Sequence, residues 1–278
     1  MYIFIKNKLQ IANMVYLCIN KLIFLMENIS YVTTTFKDTI AFVEFFHPAS
    51  NSFPSSQLAE LTNAINALNT NSDVRVIVLK SEGDKAFCAG ASFDELLQVS
   101  NLEQGVQFFS GFANVINAMR KSNKIIIGRI QGKTVGGGVG LAAACDYTFA
   151  TKNASIKLSE LAIGIGPFVI EPAVSRKIGK PALAEMTLDA ENWKSANWAF
   201  DNKLFTQLFD DATQMDEALE KFATRLSSYN PEALYEIKKV LWEGTENWDT
   251  LLKERAAISG KLVLSDFTMD ALKAFKGK

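Results

Sequence analysis

Between Ile125 and Cys145 a β-branched run, a cluster of glycines and an Ala-rich run follow one another without interruption: Ile125-Ile-Ile127, then Gly136-Gly-Gly138, then Leu141-Ala-Ala-Ala-Cys145. Branched side chains suit a buried strand, successive glycines a sharp turn, and alanines a helix. The stretch therefore predicts strand, tight turn and helix. Because the three glycines carry no side chains, a ligand can approach the unpaired N–H groups where the helix begins, at the positive end of its dipole. Such a turn is a place to hold a developing negative charge.

The same alternation extends to both sides. Strands are expected at Tyr31–Phe36 and Ile40–Phe46, followed by the loop Pro48-Ala-Ser-Asn-Ser-Phe-Pro54 and a helix from about Ser56, with Leu58, Leu61, Ile65 and Leu68 on one face. Val74–Leu79 reads as a buried strand. A second loop from Glu82 to Ala91 leads into the acid-bearing turn Ser92-Phe-Asp-Glu95 and a long helix to about Lys121. With a further strand at Tyr147–Ala150, the order of elements gives an α/β class with crossover connections. After about Pro181 the strand pattern stops. Asn230-Pro231-Glu232 carries the marks of a helix start, and further helices are expected over Ala212–Ser228 and Trp248–Leu262. The chain thus divides into an N-terminal extension (1–25), an α/β core (26–195) and a helical C-terminal region (196–278).

Composition narrows the partners. Twenty-nine basic against thirty acidic residues, with a pI near 6.0, provide no overall field to gather nucleic acid. Cys18, Cys88 and Cys145 have no C-x-x-C spacing, which points to free thiols in a reducing, cytoplasmic setting and away from a zinc site. Met1–Leu25 is apolar with three lysines and no acid, but polar residues interrupt it short of the ~18 apolar residues of a membrane span. It reads as an upstream start before Met26 or as a weak targeting segment.

Two nucleotide motifs fail on inspection. Gly132-Lys133-Thr134 resembles the end of a phosphate-binding loop, but Ile127 stands where its first glycine belongs; Gly136-x-Gly138 lacks the third glycine of a dinucleotide fingerprint, which is Leu141. His47, the single histidine, stands at a strand end and reads as an ordinary polar terminator. What remains is a pair of glycine turns, Ala89-Gly90-Ala91 and Gly136-Gly-Gly138, and an acid. Two backbone amides converging on one carbonyl oxygen can stabilise its negative charge, each contributing about 2.7–4 kcal/mol to a transition state.

On these residues the chain resembles the crotonase (enoyl-CoA hydratase/isomerase) superfamily from about Tyr31 onward. Lys85-Ala-Phe-Cys-Ala-Gly-Ala91 is similar to that family's first oxyanion segment, Val135-Gly-Gly-Gly138 to its second, and Ser159-Glu160-Leu-Ala-Ile-Gly164 to its acid/base segment, with Cys145-Asp146 following the helix. The resemblance implies a spiral of ββα units, backbone donors at Ala91 and Gly137, and Glu160 as acid/base. It also implies Asn51, Phe53, Ala89 and Phe93 along the acyl-CoA channel. The substrate would be an acyl-CoA thioester, coenzyme A entering as part of it, with no metal or separate cofactor. A homotrimer or homohexamer joined through the C-terminal helices is implied as well.

Two departures bear on mechanism. Gly140 occupies the position of the first carboxylate in the family's two-glutamate hydratases, and Ser92 that of a common aspartate, with Asp94 and Glu95 behind it as solvated helix-start acids. Glu171, in the altered loop after Glu160, is the candidate to restore a second carboxylate to the pocket, set against a surface or helix-start role. One carboxylate suits moving a proton between two carbons. Decarboxylation or thioester hydrolysis on the same scaffold, or acyl-CoA binding without turnover, are the alternatives.

Overall fold

The computed structural model describes residues 29–276. The leading segment Met1–Leu25, with Cys18, lies outside the described residues. The elements form two sheets. The larger runs in the order β1 (Tyr31–Lys37), β2 (Ile40–Phe46), β3 (Val76–Ser81), β5 (Ile125–Ile130), β7 (Tyr147–Thr151) and β10 (Gln207–Phe209). Only the β1–β2 pair is antiparallel; the remaining pairs are parallel. The smaller sheet runs β4 (Ala86–Cys88), β6 (Lys133–Val135), β8 (Ser155–Lys157) and β9 (Lys194–Ser195).

The two sheets share a rhythm. Each of β3, β5 and β7 passes into a short strand of the second sheet and then into helix, so the ββα unit recurs three times. The central strands read as nearly continuous apolar runs because helices or the second sheet cover both faces. Helix α1 (Ser55–Thr70) buries the expected stripe Leu58, Leu61, Ile65 and Leu68. After it come α2 (Phe93–Leu96), α3 (Leu102–Lys121) and α4 (Gly137–Ala144). The next helical stretch, α5 (Glu171–Leu188), is two helices divided at Gly179, whose φ of 75° interrupts it.

Strands do not stop at Pro181. β9, at the end of the core, pairs with β8, and β10, within the region assigned as helical, adds an edge to β7. At two and three residues, each too short to show an alternation, they are held by their partners. The remaining helices are α6 (Ala196–Asp201), α7 (Ala212–Ser227), α8 (Pro231–Leu241), α9 (Trp248–Leu262) and α10 (Asp266–Lys276). Asn230 caps α8 by accepting from the amides of Glu232 and Ala233, with Pro231 at the first helical position.

Helix α9 returns to lie against α3. A Cβ on Gly105 would come within 2.7 Å of the Gly260 carbonyl oxygen, so glycine at the crossing lets the two backbones touch. That contact brings Ser259 to the wall of the site.

Candidate active site

The ends of β4, β6 and β8 open on one side of the smaller sheet, and the three segments that follow them meet there. After β4 comes Ala89-Gly90-Ala91. Phe53 makes a parallel bridge to Ala91, in which the Phe53 amide donates to the Gly90 carbonyl at 2.8 Å and the Ser92 amide donates to the Phe53 carbonyl at 2.8 Å. The Ala91 N–H therefore faces away from Phe53, and it has no acceptor among the described residues. Gly90 has φ +89°, and a Cβ there would lie 3.2 Å from the Val135 carbonyl oxygen and 3.6 Å from the Gly137 amide nitrogen. The first turn is thus packed directly against the second, and only glycine permits that approach.

After β6 the chain turns at Gly136, φ 52° and ψ −119°, and α4 starts at Gly137. As the first residue of the helix, Gly137 has no intrahelical acceptor for its N–H, and the helix dipole adds positive potential at this end. After β8, Ser159 leads into a single 3-10 turn, Glu160–Ile163, closed by Gly164 in the left-handed conformation. A Cβ on Gly136 would stand 3.1 Å from Glu160 Oε1, which places the carboxylate beside the second glycine turn.

The resulting cavity encloses about 160 Å³ and is lined by Ala89, Gly90, Ala91, Gly136, Gly137 and Glu160 together with apolar side chains from α2, α3 and the 163–170 loop. Glu160 is its one acid. Although part of the residue reaches the surface, Oε2 is shut off from solvent and has no hydrogen-bond partner among the described residues. Burial raises the carboxyl from its usual 4.5 to about 7, and its own backbone amide offsets that only in part. A carboxyl poised there exchanges a proton readily in either direction near neutrality.

Of the residues singled out from the sequence, Glu160, Ala91, Gly137, Ala89 and Phe93 all line this cavity. Asn51 and Phe53 do not. Asn51, 4% exposed with φ 57°, donates to the carbonyls of Glu82 and Ala86 at 2.8 and 2.9 Å and accepts from the His47 amide at 3.0 Å. It braces the loop behind the first glycine turn. Phe53 is packed between Phe45 and Phe112 in the core. His47 fits its expected role, with Nδ1 accepting from the Ala49 amide.

The other acids are also accounted for. Glu171 sits 3.7 Å from Arg255 and outside the cavity lining, so it does not restore a second carboxylate. Glu95 is not a merely solvated acid: its Oε2 accepts from the Ser55 amide at 2.9 Å and from the Ser55 hydroxyl at 2.5 Å, fixing the start of α1. Gly140 is closed to any side chain, because a Cβ there would meet Ile170 Cγ2 at 2.4 Å. Ile170 and Ser259 were not singled out from sequence; both reach the cavity through tertiary contacts alone. Cys88 and Cys145 are buried free thiols, each raised to about 12 by burial.

Comparison with known proteins identifies the family and the fold. Residues 35–274 match the model of the enoyl-CoA hydratase/isomerase family. A short-chain-enoyl-CoA hydratase of Clostridium acetobutylicum is 28% identical over 229 residues, covering 82% of this chain and 87% of its own. A peroxisomal Δ(3,5)-Δ(2,4)-dienoyl-CoA isomerase of Arabidopsis thaliana is 28% identical over 231 residues, 77% of this chain and 81% of its own. In fold, the crystal structure of an enoyl-CoA hydratase from Bacillus halodurans superposes with a TM-score of 0.82 at 20% identity, covering 88% of this chain and all of that one. The chain belongs to the enoyl-CoA hydratase/isomerase family, the crotonase superfamily.

Proposed function

We propose that the protein moves a double bond within an enoyl-CoA thioester through an enolate, with Glu160 carrying the proton. The thioester carbonyl oxygen is held by the amides of Ala91 and Gly137. Glu160 removes a proton from the α carbon of a 3-enoyl thioester, the electron pair passes to the carbonyl oxygen, and the two amides and the start of α4 stabilise the enolate. The same carboxyl then returns its proton to the γ carbon, giving the 2-enoyl thioester. One acid suffices, since it ends in the state in which it began.

The observation that carries this reading is the bare Glu160 Oε2, buried beside the glycine turn with no competing partner. Hydration of the 2-enoyl thioester is the slower partner reaction of the same site, because adding water calls for a second group to orient it. Glu160 is the one acid in the lining, and Ile170 fills the space a side chain at Gly140 would need. Copies of the chain associate as a trimer or hexamer through the C-terminal helices, where α8 leaves Tyr235, Ile237, Val240 and Leu241 exposed. Mass measurement in solution tests that assembly.

Incubation with 3-hexenoyl-CoA and crotonyl-CoA in deuterated water tests the chemistry. The isomerised product should form faster than water adds to crotonyl-CoA, and its γ carbon should carry mainly protium taken from the α carbon rather than solvent deuterium. Glu160→Ala should lower kcat by 10³-fold or more and change thioester affinity by less than about threefold. Parallel loss of turnover and affinity would remove Glu160 from the role of acid/base.

A further inference from the structure

The chemistry above says nothing about which acyl groups enter, and the walls of the cavity do. Phe108, Phe109 and Phe112 from α3 face the 163–170 loop, from which Ile165, Phe168 and Ile170 contribute. Apart from Glu160, the polar side chains in the lining are the hydroxyls of Ser159 and Ser259. No lysine, arginine or histidine lines it. Ser259 is 1% exposed. Arg255, one turn back along α9, is turned to Glu171 at 3.7 Å and stays outside the lining.

Building on the thioester reading, we infer that this site selects uncharged, compact acyl groups up to about the bulk of a benzene ring and rejects those ending in a carboxylate. Size follows from volume. An apolar cavity of about 150 Å³ accommodates benzene, and the space here is about 160 Å³. A chain much longer must displace the packed phenylalanines, which is unfavourable in a close-packed wall.

Charge follows from the lining. A terminal carboxylate would leave water for phenylalanine and isoleucine walls, with no cation to meet it and Glu160 sharing the same space. The Ser259 hydroxyl offers one neutral hydrogen bond, enough to hold a neutral oxygen but not to balance a charge.

Binding to the full-length chain tests selection separately from catalysis, using saturated thioesters that cannot react. Calorimetry with hexanoyl-CoA and benzoyl-CoA should give Kd values at least tenfold below that of free coenzyme A, while glutaryl-CoA and decanoyl-CoA should bind no more tightly than free coenzyme A. Phe168→Ala should strengthen decanoyl-CoA binding at least fivefold and leave glutaryl-CoA unchanged. Glutaryl-CoA binding as tightly as hexanoyl-CoA would overturn the inference, and so would a chain that binds none of the thioesters. If hexanoyl-CoA is selected but no enoyl thioester is turned over, the selection stands and the proposed reaction falls. If 3-hexenoyl-CoA and a carboxylate-ended enoyl thioester are turned over equally, the reverse holds.

Discussion

Two buried carboxylates flank helix α4, and their surroundings are opposite. Beyond its C-terminal end, the Asp146 side chain is 2% exposed and every oxygen is engaged: Oδ2 accepts from the Ile126 amide at 2.8 Å and Lys238 Nζ at 2.6 Å, and Oδ1 accepts from Trp242 Nε1 at 2.8 Å. Beside its N-terminal turn, Glu160 has one oxygen with no partner. The chain has provided Asp146 with a cation from α8, 92 residues on, and an indole just past that helix, 96 residues on. For Glu160 it has provided neither. A buried acid whose acceptors are all used fixes architecture, here tying α8 to the larger sheet. One left bare keeps its capacity to take and release a proton, at a cost in stability that only use of the site explains.

Nearby groups reinforce the contrast. Lys177 Nζ donates to the carbonyls of Cys145 and Asp146 at 2.8 and 3.1 Å, a cation placed on the C-terminal end of α4. Arg176 stacks 3.9 Å over the Trp242 ring. Burial lowers the pKa of Lys238, and Asp146 pulls it back upward.

Cutting the paired site should have the larger effect on stability. Lys238→Ala leaves Asp146 buried with its charge uncompensated, and about 3–5 kcal/mol should be lost, read as a fall in the urea midpoint. A change below about 1 kcal/mol would mean that the pair is not the anchor described. The bare site should respond in the opposite direction. Because the folded-state pKa of Glu160 is raised from 4.5 to about 7, the folded chain holds more protons than the unfolded one between those values, and stability falls as pH rises through that window. Glu160→Gln escapes this loss. Urea denaturation should find it equal to the parent near pH 4 and more stable at pH 8, by on the order of 3 kcal/mol. Equal stability at both pH values would mean that Glu160 has a partner after all.

Much of this contrast is readable from the chain and part is not. The apolar stripe of α1, the capped start of α8 and the glycine turns declare themselves because local pattern determines them. Glu160 is singled out by the similarity of Ser159–Gly164 to the family's acid/base segment, while the short strand that positions it, β8, has no pattern of its own. Other features need the fold. β9 and β10 are too short for a pattern, and the Asp146–Lys238 pair joins residues remote in sequence. The absence of a carboxylate at Gly140 is visible in the sequence; that Ile170 fills the vacated space is not. Asn51 and Phe53 lie close to the first turn yet behind it, a distinction of side-chain direction that segment similarity does not carry.

The central claim is that Glu160 is buried without a charge partner, and its ionisation can be followed directly. With carboxyl-¹³C glutamate incorporated and Glu160→Gln used to assign the signal, titration of the ligand-free protein should show this carboxyl ionising at about 7. A midpoint near 4.5, the ordinary value, would contradict the account.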